Sequence, residues 1–257
     1  MARSREQAAM LIASGRIEVR GIPASKPATG VDGDTPLRLT GNGVEYASRG
    51  GHKLAGALDR FPDIVVANRR CLDAGASTGG FTDVLLRRGA AGVVAVDVGY
   101  GQLAWLLRTD PRVTVVERTN VRALTAEQIG GPVELTVADL SFISLRLVLP
   151  ALTSCTRDHG DLLPMVKPQF EVGRDRLGAG GVVRDPGLRA EAVSSVAREA
   201  ARLGWGVAGI TPSPLPGPSG NVEFFLWLRR DALRNDRSVD DTQIAAVVER
   251  AQRRAED

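Results

Sequence analysis

Lysine is the residue type to follow in this chain. Of 33 basic residues only three are lysines, Lys26, Lys53 and Lys167, and the other 30 are arginines. The bias fits a GC-rich coding sequence and says little about folding. A lysine can give up its proton inside a site, which an arginine effectively cannot. Each lysine is therefore a candidate for proton chemistry. Lys53 stands in Arg49-Gly50-Gly51-His52-Lys53-Leu54, and Lys167 in Met165-Val166-Lys167-Pro168-Gln169-Phe170. Two carboxylates stand in comparable settings, Asp139 in Ala138-Asp139-Leu140-Ser141-Phe142 and Glu223 in Gly220-Asn221-Val222-Glu223-Phe224. Lysines held among acids can abstract a proton from a poor nucleophile such as a hydroxyl. Burial and a second nearby ammonium both favour the neutral amine. Taken singly, each of the four residues reads better as an ordinary salt-bridged or exposed charge.

A second constellation is a glycine-rich loop, Asp73-Ala74-Gly75-Ala76-Ser77-Thr78-Gly79-Gly80-Phe81. It follows a strand-like run and opens a helix-like one. Glycines allow close approach of a ligand, and the helix start offers free N–H groups. The spacing is not the three-glycine dinucleotide fingerprint that brings a pyrophosphate to the helix end. Asp73, just before the first glycine, suits a cationic cofactor and opposes a pyrophosphate. Asp97 closes the next strand-like run 22 residues after Gly75, where a carboxylate can accept both hydroxyls of an adenosine ribose. The loop thus favours S-adenosylmethionine (SAM) over a nicotinamide dinucleotide. The expected cofactor residues are Asp73, Gly75, Ser77, Gly79, Gly80, Phe81, Asp97 and Asp139.

The elements that must position these groups alternate. Strands are expected at 70–73, 92–96, 113–116, 133–137, 162–166, 207–210 and 223–228. Helices are expected at 82–88, 103–108, 145–152 and 188–203, with a polar terminal helix at 238–253. The alternation predicts an α/β fold with a mostly parallel, doubly wound sheet whose strand C-termini carry the ligand along one edge. Asp139 and Lys167 fall at such ends. Thr211 to Gly220, with four prolines, reads as a stiff lip or a plain connection. Phe142 is a candidate to stack on a base, or else a core residue. Arg174, Arg176 and Arg184 are candidate phosphate contacts.

Composition bounds the rest. The chain has 257 residues, 25% of them charged, and a net charge of +3, so RNA binding would need a local patch. Two cysteines, Cys71 and Cys155, make neither a disulfide framework nor a four-cysteine zinc site. His52 and His159 lack metal-ligand company, so no metal site is expected. No apolar run reaches membrane-spanning length, and the N-terminus lacks a signal-peptide core. A soluble, cytoplasmic protein is the expectation.

Residues 1–40 read as a helix, a strand, a turn and a second strand. The helix opens at Ser4 and Gln7 as a capping box, with Ala8, Leu11 and Ile12 as its apolar stripe. Through Ser4-Arg5, Ile12, Gly15, Val19, Gly21, Pro27, Val31 and Gly33-Asp34, this stretch resembles the later part of an S4 RNA-binding domain. The family's earlier helix has no counterpart in these residues. The resemblance implies RNA contacts by Arg3, Arg5 and Arg16. Residues 41–48 read as a linker, 49–232 as the α/β domain and 233–257 as a polar helix and tail.

Lys53, Asp139, Lys167 and Glu223, in that order around a SAM-type loop, resemble the K-D-K-E tetrad of the FtsJ-like ribose 2′-O-methyltransferases. Ser-Arg-Gly-Gly-His-Lys-Leu, Leu-Asp-Ala-Gly-Ala-Ser-Thr-Gly-Gly-Phe, Val-Lys-Pro-Gln-Phe-Glu and Gly-Asn-Val-Glu-Phe-Phe, behind an S4-like unit, resemble the TlyA family. The resemblance implies a Rossmann-like, SAM-dependent methyltransferase that modifies cytidine 2′-hydroxyls in 16S and 23S ribosomal RNA. It further implies an effect on sensitivity to ribosome-targeting peptide antibiotics, and it brings the family's haemolysin name. On this reading Lys167 is the base and Asp139 orients it. Lys53 supplies a second positive charge, and Glu223 supports the set. Two other readings stand beside it: an RNA-binding or ribosome-assembly protein without catalysis, and a membrane-active haemolysin.

Overall fold

The computed structural model describes residues 8–9, 11–12, 16–24, 26–40, 46–217, 219–234 and 238–256, except for the side chains of 174, 234 and 254–256. The chain divides into two compact units at Ser48/Arg49.

In the first unit, β1 (Ile17–Val19) is the centre of an antiparallel sheet, flanked by β2 (Ile22–Pro23) and β3 (Leu37–Leu39). The expected turn after the first strand falls at Arg20 and Gly21, both with positive φ (54° and 81°). It returns the chain as β2, a strand too short to leave a period in the sequence. Among the described residues Leu11, Ile17 and Ala24 form the buried core, with Ile12, Val19 and Leu39 packed on them. Arg16 lies outside that core, and its Nε donates to the Thr40 carbonyl at 3.1 Å, tying the two strand ends together.

The second unit is built on a seven-stranded sheet. Its strands are β4 (Arg70–Ala74), β5 (Gly92–Val96), β6 (Val113–Val116), β7 (Val133–Ala138), β8 (Thr156–Val166), β9 (Gly206–Pro212) and β10 (Phe224–Arg229), in the order β6-β5-β4-β7-β8-β10-β9. The first five pair in parallel, while β10 runs antiparallel to both its neighbours. This is the expected α/β architecture with one reversed strand. The order reverses between β4 and β7, which opens a crevice at their carboxyl ends.

The helices are α1 (Arg49–Arg60), α2 (Gly80–Arg87), α3 (Trp105–Arg108), α4 (Leu145–Cys155), α5 (Pro168–Glu171), α6 (Pro186–Arg202), α7 (Arg230–Arg234) and α8 (Asp241–Glu256). Phe224 and Phe225 are both fully buried and, as neighbours in a strand, face opposite layers. Phe224 joins the core made with α4, α6 and α8, whereas Phe225 packs on Phe81 of α2 with ring centroids 6.1 Å apart. Burying such a side chain stabilises by roughly 1.5–3 kcal/mol.

Two expectations need correction. Helix α1 is not among the expected elements: Gly50, Gly51 and Gly56 lower its helix propensity, and packing of Leu54, Ala57 and Leu58 overrides that weakness. The terminal helix is not merely polar: Ile244, Val248 and Ala251 recur at helical spacing and enter the main core, so α8 is an integral layer of the second unit.

Candidate active site

One sheet edge collects the functional groups. Gly75, Asp97, Asp139 and Lys167 each come directly after a parallel strand, β4, β5, β7 and β8 respectively. Glu223 directly precedes β10, whose reversed direction brings a strand start to that same edge. Phe224 pairs with Val166, so one further step in the register sets Glu223 opposite Lys167.

The tetrad resolves into two acid–base pairs. Lys53 Nζ donates to Glu223 Oε2 at 2.5 Å, with the two side chains only 8% and 1% exposed. Lys167 Nζ lies 2.6 Å from Asp139 Oδ1, an ion pair without hydrogen-bond alignment, since that oxygen accepts no bond. Nζ instead donates to Ser141 Oγ at 2.9 Å. Asp139 and Glu223 thus offset the charges of the two lysines one to one. Each lysine carries its own carboxylate, because a buried ammonium without one would be costly.

Lys53 reaches Glu223 through a close approach of two elements. A Cβ on Gly56, one turn along α1, would lie 2.8 Å from Pro214 Cγ, so the glycine lets the proline-rich segment rest on the helix. Arg49 Nη2 donates to the Pro216 carbonyl at 3.3 Å. The segment thus braces α1 against the start of β10. A Cβ on Gly217 would lie 2.7 Å from Glu223 Oε1, a buried oxygen without a partner.

A cavity of about 570 Å³ opens beside these pairs, with Lys167, Glu223, Ser141, Phe142 and Phe170 in its wall. Phe142 is not a core residue. It is 91% exposed, in the left-handed region (φ 63°), and its ring lies 5.2 Å from that of Phe170. Asn221 shapes the far wall, accepting from Val183 N at 2.9 Å and donating to the Gly181 carbonyl at 3.0 Å.

The glycine loop occupies the crevice between β4 and β7. A Cβ on Gly75 (φ 87°) would lie 2.5 Å from the Asp139 carbonyl oxygen. Asp73 is fully buried, its Oδ2 accepts from Thr82 Oγ1 at 2.7 Å, and its Oδ1 has no partner. Burial, opposed by the Thr82 bond and reinforced by Asp139, pushes its carboxyl up to about 7. Asp97 Oδ2 accepts from Ser77 N at 2.8 Å and Oδ1 from Gly99 N at 2.7 Å, which holds the loop to the end of β5. Each oxygen keeps a second lone pair for a ligand hydroxyl.

Several expected residues do other work. The Phe81 side chain belongs to the core, 3% exposed against Phe225, and does not line the crevice. Gly79 (φ 95°) is required by packing, since a Cβ would lie 2.3 Å from Leu107 Cδ1. Gly80 is the first, buried residue of α2. Arg176 is engaged by Glu191 at 2.7 Å. Arg174 lies in a 3-10 turn, and its side chain, like Arg3 and Arg5, is outside the described residues.

Sequence reasoning missed Ser141, Glu117 and Glu171. Glu117 accepts from Gly101 N at 2.9 Å and pairs with Arg108 at 2.6 Å, anchoring the segment that follows Asp97. Glu171, 6% exposed, accepts from Ser144 Oγ at 2.5 Å and Leu145 N at 2.7 Å, closing the start of α4. Burial raises its carboxyl, and those bonds oppose the rise. Only the spacing of Glu171 behind Lys167 could have flagged it.

A Rossmann-like sheet with lysine–carboxylate pairs and a glycine loop on one edge defines an α/β methyltransferase. The chain belongs to the FtsJ-like methyltransferase family, whose sequence model matches residues 46–230. It is 60% identical, over 98% of its length and 92% of the relative's, to the 16S/23S rRNA (cytidine-2′-O)-methyltransferase TlyA of Mycobacterium tuberculosis. It is 35% identical to Hemolysin A of Brachyspira hyodysenteriae, covering 86% of this chain and 92% of that one. A solved Streptococcus thermophilus structure that carries a hemolysin name superposes with a TM-score of 0.80 at 38% identity, over 98% of this chain and 92% of that one. No helix among the described residues is long and apolar enough to cross a membrane, and no group of three or more potential metal ligands occurs among them.

Proposed function

We propose that this protein methylates the 2′-hydroxyl of cytidines in 16S and 23S ribosomal RNA, with SAM as methyl donor. The observation that carries the reading is Lys167, held by Asp139 and Ser141 and set opposite Glu223 at the cavity wall. SAM fits the residues present: an unpartnered buried carboxylate at Asp73 favours a cation, Gly75 and Ser77 shape the loop, and Asp97 offers lone pairs to a ribose. When bound, SAM supplies a sulfonium methyl that passes to the 2′-oxygen while the C–S electron pair stays on sulfur. Lys167 must first give one proton to water; its neutral Nζ then takes the 2′-OH proton as the O–C bond forms, which restores the ammonium. Asp139 balances the charge that results, and Lys53 with Glu223 closes the cavity wall without adding net charge. Phe142 and Phe170 offer a platform on which the target base can stack. The first unit acts as an S4-like RNA-binding module, with Arg3, Arg5 and Arg16 as its basic contacts. Loss of the modification would alter sensitivity to ribosome-targeting peptide antibiotics.

The test is methyl transfer from radiolabelled SAM to isolated ribosomal subunits and to naked ribosomal RNA, with wild type and Lys167→Ala. The expected result is ribose methylation that falls at least about 100-fold in the variant, the lower end of the range for losing a general base. Transfer unchanged in the variant would leave an enzyme with a different base. Neither transfer nor SAM binding would favour the non-catalytic RNA-binding reading. Leakage of liposomes at micromolar protein would support a membrane-active one.

A further inference from the structure

Lys167 Nζ lies 2.6 Å from Asp139 Oδ1, an ion pair whose angles fall outside hydrogen-bond geometry. Charge attraction sets distance but hardly sets direction. The directional contact of Nζ among the described residues is its bond to Ser141 Oγ at 2.9 Å. Nitrogen in a lysine side chain has three tetrahedral positions beyond its carbon, shared between N–H groups and, in the neutral amine, one lone pair. Fixing one of them on Ser141 fixes the sweep of the others.

The loop that carries Ser141 is built to hold that contact. It runs from Asp139 to the start of α4 and is laced at both ends to the turn that begins at Lys167. At one end Lys167 meets Asp139 and Ser141; at the other Glu171 accepts from Ser144 Oγ and Leu145 N. Between the two lashings sits Phe142 with φ of 63°. A bulky residue in that region is strained and persists only when its surroundings impose it. The strained residue directly follows Ser141, and both line the cavity. Strain at that point is explained if the backbone must turn there to present the hydroxyl to Nζ.

We propose that Ser141 is a positioning residue for the methyl-transfer reaction: it aims the lone pair of Lys167 at the 2′-hydroxyl of the target nucleotide. This rests on the reading of Lys167 as the base. Ser141 exchanges no proton with substrate. Its hydroxyl accepts from Nζ before and after the proton moves, so the 2′-OH proton ends on Nζ.

The test uses the full chain as wild type, Lys167→Ala, Ser141→Ala and Ser141→Thr, with ribosomal subunits and SAM as substrates. Steady-state kinetics give kcat and KM, calorimetry gives SAM affinity, and thermal melts report folding. For Ser141→Ala, kcat should fall about 10- to 100-fold, as for a misaimed catalytic group. The KM for subunits and the SAM affinity should stay within about twofold, the signature of an interaction used only in the transition state. Ser141→Thr keeps the hydroxyl and should recover kcat to within about threefold of wild type. Wild-type kcat in Ser141→Ala, with Lys167→Ala inactive, would overturn the role of Ser141 and leave the base assignment standing. A Thr variant as slow as the Ala variant, or a kcat loss matched by a lowered melting temperature, would make Ser141 structural and overturn the proposal. Wild-type transfer by Lys167→Ala would overturn the base itself, and Ser141's role with it.

Discussion

Asp73 sits fully buried with one oxygen unpartnered, and its carboxyl titrates at about 7 rather than 3.8. The folded state therefore holds a proton that the unfolded chain gives up. Stability falls as pH rises from about 4 to about 7, and the loss is complete above the folded value. The same charge has the opposite effect on a cationic ligand, which binds better once Asp73 ionises. SAM affinity should thus rise with pH up to and through about 7 and then level off. Asp73→Asn should bind SAM weakly, with little pH dependence, and its unfolding free energy should decline less over the same range. Calorimetric titrations and denaturant melts at pH 5, 6, 7 and 8 separate these outcomes. A wild-type affinity that is flat across that range would refute the assignment of Asp73 to the cation.

Elements place what residues cannot place alone. Lys53 would be a helix lysine without a partner were α1 not pressed onto the proline-rich segment at Gly56 and Pro214. Any side chain larger than hydrogen at 56 must displace one of them, since its Cβ would come within 2.8 Å of Pro214 Cγ. Gly56→Leu should therefore leave the fold intact, at a loss of about 1–3 kcal/mol from overpacking. It should separate Lys53 from Glu223 enough to lower transfer about 10-fold or more. Far-ultraviolet circular dichroism, a denaturant melt and the methyl-transfer assay check the three parts. Activity equal to wild type would mean that the position of α1 does not matter for the site. The sequence could not show this element. Its three glycines argue against a helix, and only the burial of Leu54, Ala57 and Leu58 in tertiary packing outweighs them.

At the scale of the whole molecule, the two units differ in what they bury. The second has a core spanning both faces of a seven-stranded sheet; among the described residues of the first, Leu11, Ile17 and Ala24 are the buried core. A core that small is marginal in a stretch of this length. A fragment of residues 1–48 should show no cooperative thermal transition, and a fragment of residues 49–257 should melt cooperatively, as followed by circular dichroism. A sharp transition in the short fragment would show that it folds by itself. Many elements of the second unit could be read directly. Parallel strands have clear apolar runs and helices clear periods, so the expected strands and helices of the second unit fall close to their observed places. The residue types of the site were legible as well, because few lysines stand in a chain rich in arginine and because Gly75 precedes a helix. What the sequence could not decide was partnership. Strand β10 has the same apolar signature in either direction, yet only its reversed course brings Glu223 to the edge where Lys167 ends β8. Whether two lysines sit against each other or each against its own acid depends on contacts between residues up to 170 positions apart. Ser141, Glu171 and the core role of Phe81 were hidden for the same reason. A local pattern records which face of an element is apolar, but hydrogen-bond partners are set by which elements the packed sheet brings together.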